Sequence, residues 1–104
     1  VRNLREIAAV DGIDGFIVGP NDLSGSIGKL GQSRCEEMME LYREIGSILK
    51  EAGKLAGIYA GEFNKEYIQQ FLDMGYTMIF NSGDSGLLYQ AAKEMIRNFR
   101  ESFC

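Results

Sequence analysis

The chain has 104 residues, of which 45% are hydrophobic and 25% are charged, and its formal net charge is −4 at pH 7. This length fits one domain, and the composition is typical of a soluble globular chain. It contains no histidine, which excludes histidine-bound zinc and serine–histidine or cysteine–histidine catalysis from within these residues. The net negative charge argues against a nucleic-acid partner held through its phosphates.

Cysteine usage and hydropathy exclude further classes of protein. Cys35 and Cys104 are too few and too widely separated for a disulfide framework or a thiolate metal site. The apolar runs are far shorter than the roughly 20 residues that span a bilayer, and no secretory signal opens the chain. We therefore predict a cytoplasmic protein with no membrane partner. The first residue is Val1 rather than methionine, which indicates a chain that was processed, trimmed or cut from something longer.

Hydrophobic periodicity predicts an alternation of helices and short buried strands. The strands are continuous apolar runs bounded by glycine, which is typical of parallel strands buried on both faces. The order α-β-α-β-α-β-α therefore predicts parallel βα units. The predicted elements are a helix end at 2–10, strands at 16–18, 55–60 and 76–80, and helices at 34–51, after residue 64 and around 87–99.

Capping residues set the predicted helix boundaries. Ser33, with Glu36 three residues later, matches a capping box for the helix at 34–51. Gly53 is expected to end that helix, and Gly75 to end the next one. Asn64 is predicted to cap the helix that Gly75 ends.

Ligands of parallel α/β folds bind at the carboxyl ends of the strands. The longest loop there has the most informative sequence, because Gly19 and Pro20 predict a tight turn directly after the first strand. The backbone N–H groups of Asn21 and Asp22 could then face an anion. The carboxylate of Asp22 suits a hard divalent cation. The three candidate loops are 19–32, 61–64 and 81–85. The first of them has room for a helical turn near 22–27.

Structural interpretations stand beside these functional ones. Asp22 at the start of a helical turn is compatible with an N-cap, and residue type alone favours that role. Tyr59 lies within a strand, where packing is a more common role than catalysis. Asp84 is predicted to cap the last helix. Cys35 lies near a helix N-terminus, a position where a thiol can act as a nucleophile, but no neighbouring base is evident.

Four segments carry a family resemblance. They are VDGIDGFIVGPNDLSGSIGKLG (10–31), AGKLAGIYAG (52–61), FLDMGYTMIF (71–80) and GDSGLL (83–88). In this order they resemble the HpcH/HpaI aldolases, class II pyruvate-dependent aldolases related to the β-subunit of citrate lyase. The resemblance implies an α/β fold in which residues 1–104 are the C-terminal three βα units of a (β/α)₈ TIM barrel, and thus a partial TIM-barrel domain.

The resemblance also implies roles for individual residues. Asp22 matches a carboxylate that holds a divalent cation, Mg²⁺ or Mn²⁺, with Co²⁺ as a further candidate. The backbone at Asn21 and Asp22, with the turn at Gly19 and Pro20, would receive the pyruvate carboxylate. Tyr59 would form a wall of the substrate pocket.

The implied reaction is the cleavage of 2-keto-3-deoxy or 4-hydroxy-2-oxo acids to pyruvate and an aldehyde, through a metal-stabilised enolate. The second metal carboxylate, a substrate-binding arginine and a histidine of the family have no match here. We therefore expect no catalytic residue within this chain, and no activity from these 104 residues alone. The family further implies a homo-oligomer, a hexamer, in which residues 87–99 form an interface.

Two alternatives remain open on the sequence. The chain could be a small non-catalytic α/β protein that binds an anion or associates with itself, or a homologue of citryl- or malyl-CoA lyases. One departure from the family pattern concerns the start of the long helix. There, Ser33-Arg34-Cys35 replaces a common proline-containing sequence.

Overall fold

In the computed structural model, which describes residues 1–104, each of three strands is followed by a helix. The strands are parallel and lie in the order β1-β2-β3, so the prediction of parallel βα units is confirmed. The elements are α1 (Leu4–Ala8), β1 (Gly15–Val18), α2 (Pro20–Ser26), α3 (Glu36–Glu51), β2 (Leu55–Tyr59), α4 (Lys65–Asp73), β3 (Met78–Phe80) and α5 (Asp84–Phe103).

The two faces of the sheet differ in burial. On one face, Ala56 and Ile58 of β2 are buried in the core that the strands form with α3 and α4. Alternate residues point to the opposite face, and this face is bare. Its large apolar side chains are between 42% and 57% exposed: Ile17, Leu55, Tyr59 and Phe80. In a closed barrel the remaining strands enclose this face, so the uncovered surface fits three units of a barrel.

Gly57 lies at the centre of the bare face. It is paired with Ile17 of β1 and Met78 of β3. A Cβ atom at Gly57 would lie 3.1 Å from Cγ1 of Ile17 and 3.2 Å from Cβ of Met78. Because these distances are shorter than ordinary packing, a larger residue at Gly57 would crowd the side chains of Ile17 and Met78 on the two neighbouring strands.

An aromatic cluster joins α3, α4 and the chain that leads into β3. The ring of Phe71, which is fully buried, packs edge-on against Tyr42, Tyr67 and Tyr76 at centroid distances of 5.1, 4.8 and 5.4 Å. The Tyr76 hydroxyl donates a hydrogen bond of 2.8 Å to the carbonyl of Tyr42. Burial raises the pKa of Tyr76 above its ordinary value, so this hydroxyl remains a donor at physiological pH.

The glycine-ended helices and the asparagine cap are confirmed. Gly53 has φ +69° and Gly75 has φ +94°, a conformation that glycine adopts at little cost. After α3, the N–H of Gly53 donates to the carbonyl of Lys50, and the N–H of Lys54 donates to the carbonyl of Leu49. These two bonds form a Schellman motif. The N–H of Tyr67 donates to Oδ1 of Asn64 at 2.9 Å, as expected of an N-cap.

The predicted capping box at Ser33 is wrong. The helix α3 begins at Glu36, and its N-cap is Cys35, whose side chain makes no capping hydrogen bond. The N–H of Cys35 donates a hydrogen bond of 3.3 Å to the carbonyl of Gln32. The residues after Ser33 therefore form a turn, whereas the capping box predicts that the helix has already begun there. The carbonyl of Ser33 instead accepts a hydrogen bond from the hydroxyl of Tyr42.

Two other helix starts differ from the prediction. The helical turn in the first loop begins at Pro20, two residues early, because proline fits the first helical position, where no N–H is needed. The last helix begins at Asp84 with Gly83 as its N-cap, so the predicted Asp84 cap is wrong. Oδ1 of Asp84 accepts only the N–H of the next residue, Ser85, at 2.7 Å.

The last helix, α5, extends away from the rest of the chain. It has 20 residues and none of them is buried. The radius of gyration is 16.9 Å, against about 13 Å for a compact domain of this length. Large apolar side chains along α5 are therefore exposed: Leu87, Leu88, Tyr89, Met95, Ile96, Phe99 and Phe103. No helix in the structure has the length and apolar character needed to cross a membrane.

Candidate functional site

A pocket of about 420 Å³ lies at the carboxyl ends of β1 and β2, within the usual size range of small-molecule sites. It brings together all five residues predicted for the site, namely Gly19, Pro20, Asn21, Asp22 and Tyr59. Residues of the predicted loop 81–85 do not line it. The other lining residues are Ser33, Arg34, Ala60, Gly61, Glu62 and Tyr67.

The first wall of the pocket is the turn from β1 into α2. Gly19, with φ −93° and ψ 102°, is the N-cap of α2, and Asp22 is the third residue of the helix. The first backbone bond of the helix runs from the N–H of Leu23 to the carbonyl of Gly19 at 3.0 Å. Asp22 is therefore not an N-cap, and that structural interpretation of its role is wrong.

The carboxylate of Asp22 lies close to the turn that precedes it. Its Oδ2 atom is 3.5 Å from the position that a Cβ atom on Gly19 would occupy. The side chain is exposed to solvent and forms none of the salt bridges in the structure. Asp22 thus presents a carboxylate on the pocket wall with no cationic partner among these residues.

Two buried residues fix the backbone of this wall. Pro20 is buried at the first helical position. Ser24 is fully buried, and its hydroxyl donates a hydrogen bond of 2.9 Å to the carbonyl of Asn21. Because both residues restrict the backbone, the turn is held in one conformation before any ligand binds.

Tyr59 forms part of the second wall. It is the last residue of β2, and its side chain is 43% exposed on the bare face of the sheet. Its hydroxyl oxygen lies 3.9 Å from the position of a Cβ atom on Gly83. The side chain therefore lies beside the pocket and outside the buried core, although it belongs to a strand.

Sequence reasoning missed Arg34 and Tyr67, which form a stacked pair in the pocket. The guanidinium carbon of Arg34 is 4.3 Å from the centroid of the Tyr67 ring, a cation–π distance. Burial raises the pKa of the Tyr67 hydroxyl, whereas Tyr42 and the charge of Arg34 act in the opposite direction. Arg34 directly precedes the N-cap of α3 and Tyr67 lies on α4, so the contact joins two segments that are distant in the chain.

The pocket offers hard oxygen ligands but not a complete metal site. Carboxylate oxygens are the ligands that Mg²⁺ and Mn²⁺ favour, and Asp22 and Glu62 supply them here. No group of three histidine, cysteine, aspartate or glutamate side chains comes together in the structure. The carboxylates of Asp22 and Glu62 are thus compatible in chemistry with a divalent cation, but they do not make a three-ligand site.

Comparison with known proteins places the chain in a family. The model of the family described as HpcH/HpaI aldolase/citrate lyase matches residues 1–91. A 4-hydroxy-2-oxovalerate aldolase of Novosphingobium aromaticivorans is 39% identical over 97% of this chain and 38% of its own length. A hydroxypyruvate/pyruvate aldolase of Deinococcus radiodurans is 34% identical over 97% of this chain and 36% of its own length.

Structural similarity gives the same result. A crystal structure of a HpcH/HpaI aldolase/citrate lyase family protein from Burkholderia cenocepacia matches with a TM-score of 0.83 and 31% identity, over 95% of this chain and 38% of the other. The chain therefore spans less than two-fifths of the length of these relatives. The predicted family, and the fold of three βα units from a TIM barrel, are confirmed. The chain belongs to the HpcH/HpaI aldolase/citrate lyase family.

Proposed function

We propose that this chain provides part of the active site of an aldolase that cleaves 4-hydroxy-2-oxo or 2-keto-3-deoxy acids to pyruvate and an aldehyde. One observation carries the proposal: the five residues predicted for substrate and metal line a single pocket at the carboxyl ends of β1 and β2. The relatives named above are aldolases of 2-oxo acids, which supports this reaction over citryl- or malyl-CoA cleavage.

In this proposal Asp22 is one ligand of a divalent cation, Mg²⁺ or Mn²⁺. Its exposed carboxylate has no competing salt bridge, so both oxygens are available. When bound, such a cation supplies positive charge for the enolate that forms as the carbon–carbon bond breaks. A Cβ atom at Gly19 would lie in ordinary van der Waals contact with Oδ2 of Asp22, so the turn runs directly beside this carboxylate.

The backbone after β1 binds and orients the substrate. The N–H groups of Asn21 and Asp22 precede the first hydrogen bond of α2, and such groups at a helix start are donors for an anion. We assign them to the carboxylate of the pyruvate half. Pro20 and Ser24 hold these donors in place, and Tyr59 forms the wall that excludes water from one side.

These residues alone do not complete the site. The proton moved at C3 of pyruvate needs a base, and we assign that base, like the further cation ligands, to parts of the barrel outside residues 1–104. We therefore propose that this chain on its own does not catalyse the reaction.

Self-association is part of the same proposal. The helix α5 is unburied along its whole length, and exposed apolar surfaces of this extent are typical of protein interfaces. A homo-oligomer in which α5 packs on a neighbouring subunit would cover it.

The proposal is tested with the protein expressed from its complete reading frame. We expect it to release pyruvate from 4-hydroxy-2-oxopentanoate when Mg²⁺ or Mn²⁺ is supplied, and to stop when the cation is chelated. Pyruvate is followed by coupled reduction to lactate. The isolated 104-residue chain, with the same cations, is the matched control and is expected to release none.

Two results would contradict the proposal. Release of acetyl-CoA from citryl-CoA or malyl-CoA, with no cleavage of 4-hydroxy-2-oxo acids, would favour the lyase alternative. A well-folded protein that binds 2-oxo acids and cleaves none of them would favour the non-catalytic, anion-binding alternative.

A further inference from the structure

We propose that Arg34 selects substrates that carry a second carboxylate, by pairing with that group inside the pocket. The proposal rests on the aldolase function above for one point only, which is the orientation of the substrate. In that orientation the pyruvate half binds at Asn21 and Asp22, and the aldehyde-forming half extends towards Arg34. The position, the surroundings and the unpaired charge of this arginine support its role.

The backbone on both sides of Arg34 is fixed. On one side the carbonyl of Ser33 accepts a 2.8 Å hydrogen bond from the hydroxyl of Tyr42, which is fully buried. On the other side Cys35 is the N-cap of α3, the longest buried helix of the chain. The root of the arginine side chain is therefore anchored to the core, although the side chain itself is exposed.

The guanidinium group is also positioned by Tyr67. The guanidinium carbon is 4.3 Å from the ring centroid, and the ring is held in turn by the edge contact with Phe71 at 4.8 Å. Tyr67 is only 6% exposed, so its ring is a fixed platform. A planar guanidinium held in this way loses little freedom on binding, and its N–H groups suit a carboxylate with two oxygens.

The charge of Arg34 has no partner in the structure. None of the salt bridges includes Arg34, although two carboxylates, those of Asp22 and Glu62, line the same cavity. Arg34 is the single basic side chain of that lining. An anionic group that enters the pocket thus has one cationic side chain to meet among these residues.

A carboxylate is the anion that fits one arginine. A phosphate carries up to two negative charges, and the two carboxylates of the pocket lining, Asp22 and Glu62, would repel it more strongly than a singly charged group. A single carboxylate needs only one positive charge and two aligned donors. The substrate class that follows is a 2-oxo acid whose far end carries a second carboxylate.

The test is a binding comparison between two five-carbon acids in the protein expressed from its complete reading frame, with Mg²⁺ present. The probes are 2-oxoglutarate, with a carboxylate at C5, and 2-oxopentanoate, with a methyl group there. Neither has a 4-hydroxyl group, so neither is cleaved. We expect calorimetry to give a Kd at least about 10-fold lower for 2-oxoglutarate, which is the size of effect expected of one charge-assisted contact.

The variants separate a specific contact from general charge. In Arg34→Gln the ratio of the two Kd values is expected to fall close to one, and in Arg34→Lys to an intermediate value, because lysine keeps the charge but lacks the planar fork. Arg43→Gln is the matched control: Arg43 is an exposed arginine of α3 that does not line the pocket, and the ratio should remain as in the wild type.

The possible results have distinct meanings. A ratio unchanged in Arg34→Gln, or equal weakening of both acids, would overturn the proposal. An Arg34-dependent preference for 2-oxoglutarate, in a protein that cleaves no 4-hydroxy-2-oxo acid, would support the carboxylate subsite and contradict the aldolase function. Loss of the preference in Arg43→Gln as well would assign the effect to net charge and would also overturn the proposal.

Discussion

Replacing Asp22 with asparagine should lower the rate of pyruvate release on the order of 100-fold or more, the effect of removing one electrostatic contact to a developing charge. Asparagine keeps the size of the side chain but removes the negative charge that attracts a divalent cation. The affinity for Mn²⁺ should fall in parallel, because the neutral amide is a poorer ligand. Both quantities are measured on the protein expressed from its complete reading frame.

The matched control for this substitution is Asp11→Asn. Asp11 precedes β1 and lies at the opposite end of that strand, and asparagine is equally suited to the turn there. We expect Asp11→Asn to leave the rate and the Mn²⁺ affinity unchanged. Equal loss in both variants, or full activity in Asp22→Asn with an unchanged melting temperature, would contradict the role given to Asp22.

Replacing Phe71 with alanine should lower the free energy of unfolding by about 3–5 kcal/mol, the usual cost of deleting a buried phenylalanine side chain. Phe71 is fully buried, and its ring is the common contact of Tyr42, Tyr67 and Tyr76. Its loss leaves a cavity between α3 and α4. Urea denaturation measures the effect as a lower midpoint at unchanged slope.

Phe63→Ala is the control for this prediction, because Phe63 is 75% exposed. Removal of an exposed side chain changes stability by no more than about 0.5 kcal/mol in general. A similar loss in the two variants would mean that Phe71 is not the centre of the core. Because Tyr67 supports Arg34, Phe71→Ala should also weaken the preference for 2-oxoglutarate.

The strands and most helix ends were predictable because their signals are local. Gly53 and Gly75 end helices through a backbone conformation that glycine adopts most easily, and Asn64 caps through an atom three residues away. The capping box at Ser33 has the same kind of pattern but fails. The hydroxyl of Tyr42, nine residues later, holds the carbonyl of Ser33 within a turn, and a local pattern cannot reveal that contact.

The candidate site was predictable to the extent that it follows a strand. Gly19, Pro20 and Asp22 come directly after β1, so topology alone places them at the carboxyl edge of the sheet. Arg34 is separated from that strand by a helix and a turn, and it meets the pocket through its contact with Tyr67 of α4. The sequence contains no periodic signal for a contact between such distant segments, and the arginine was therefore missed.

Exchange of the methyl protons of pyruvate in D₂O tests the central claim most directly, because it needs no knowledge of the aldehyde. An enzyme that forms the enolate of pyruvate removes a proton from C3 and returns a deuteron from solvent. We predict that the protein from the complete reading frame, with Mg²⁺ or Mn²⁺, abolishes the pyruvate methyl signal in ¹H NMR, and that Asp22→Asn slows this exchange on the order of 100-fold. Retention of the methyl signal by a folded wild-type protein that binds pyruvate, or equal exchange in Asp22→Asn, would contradict the account.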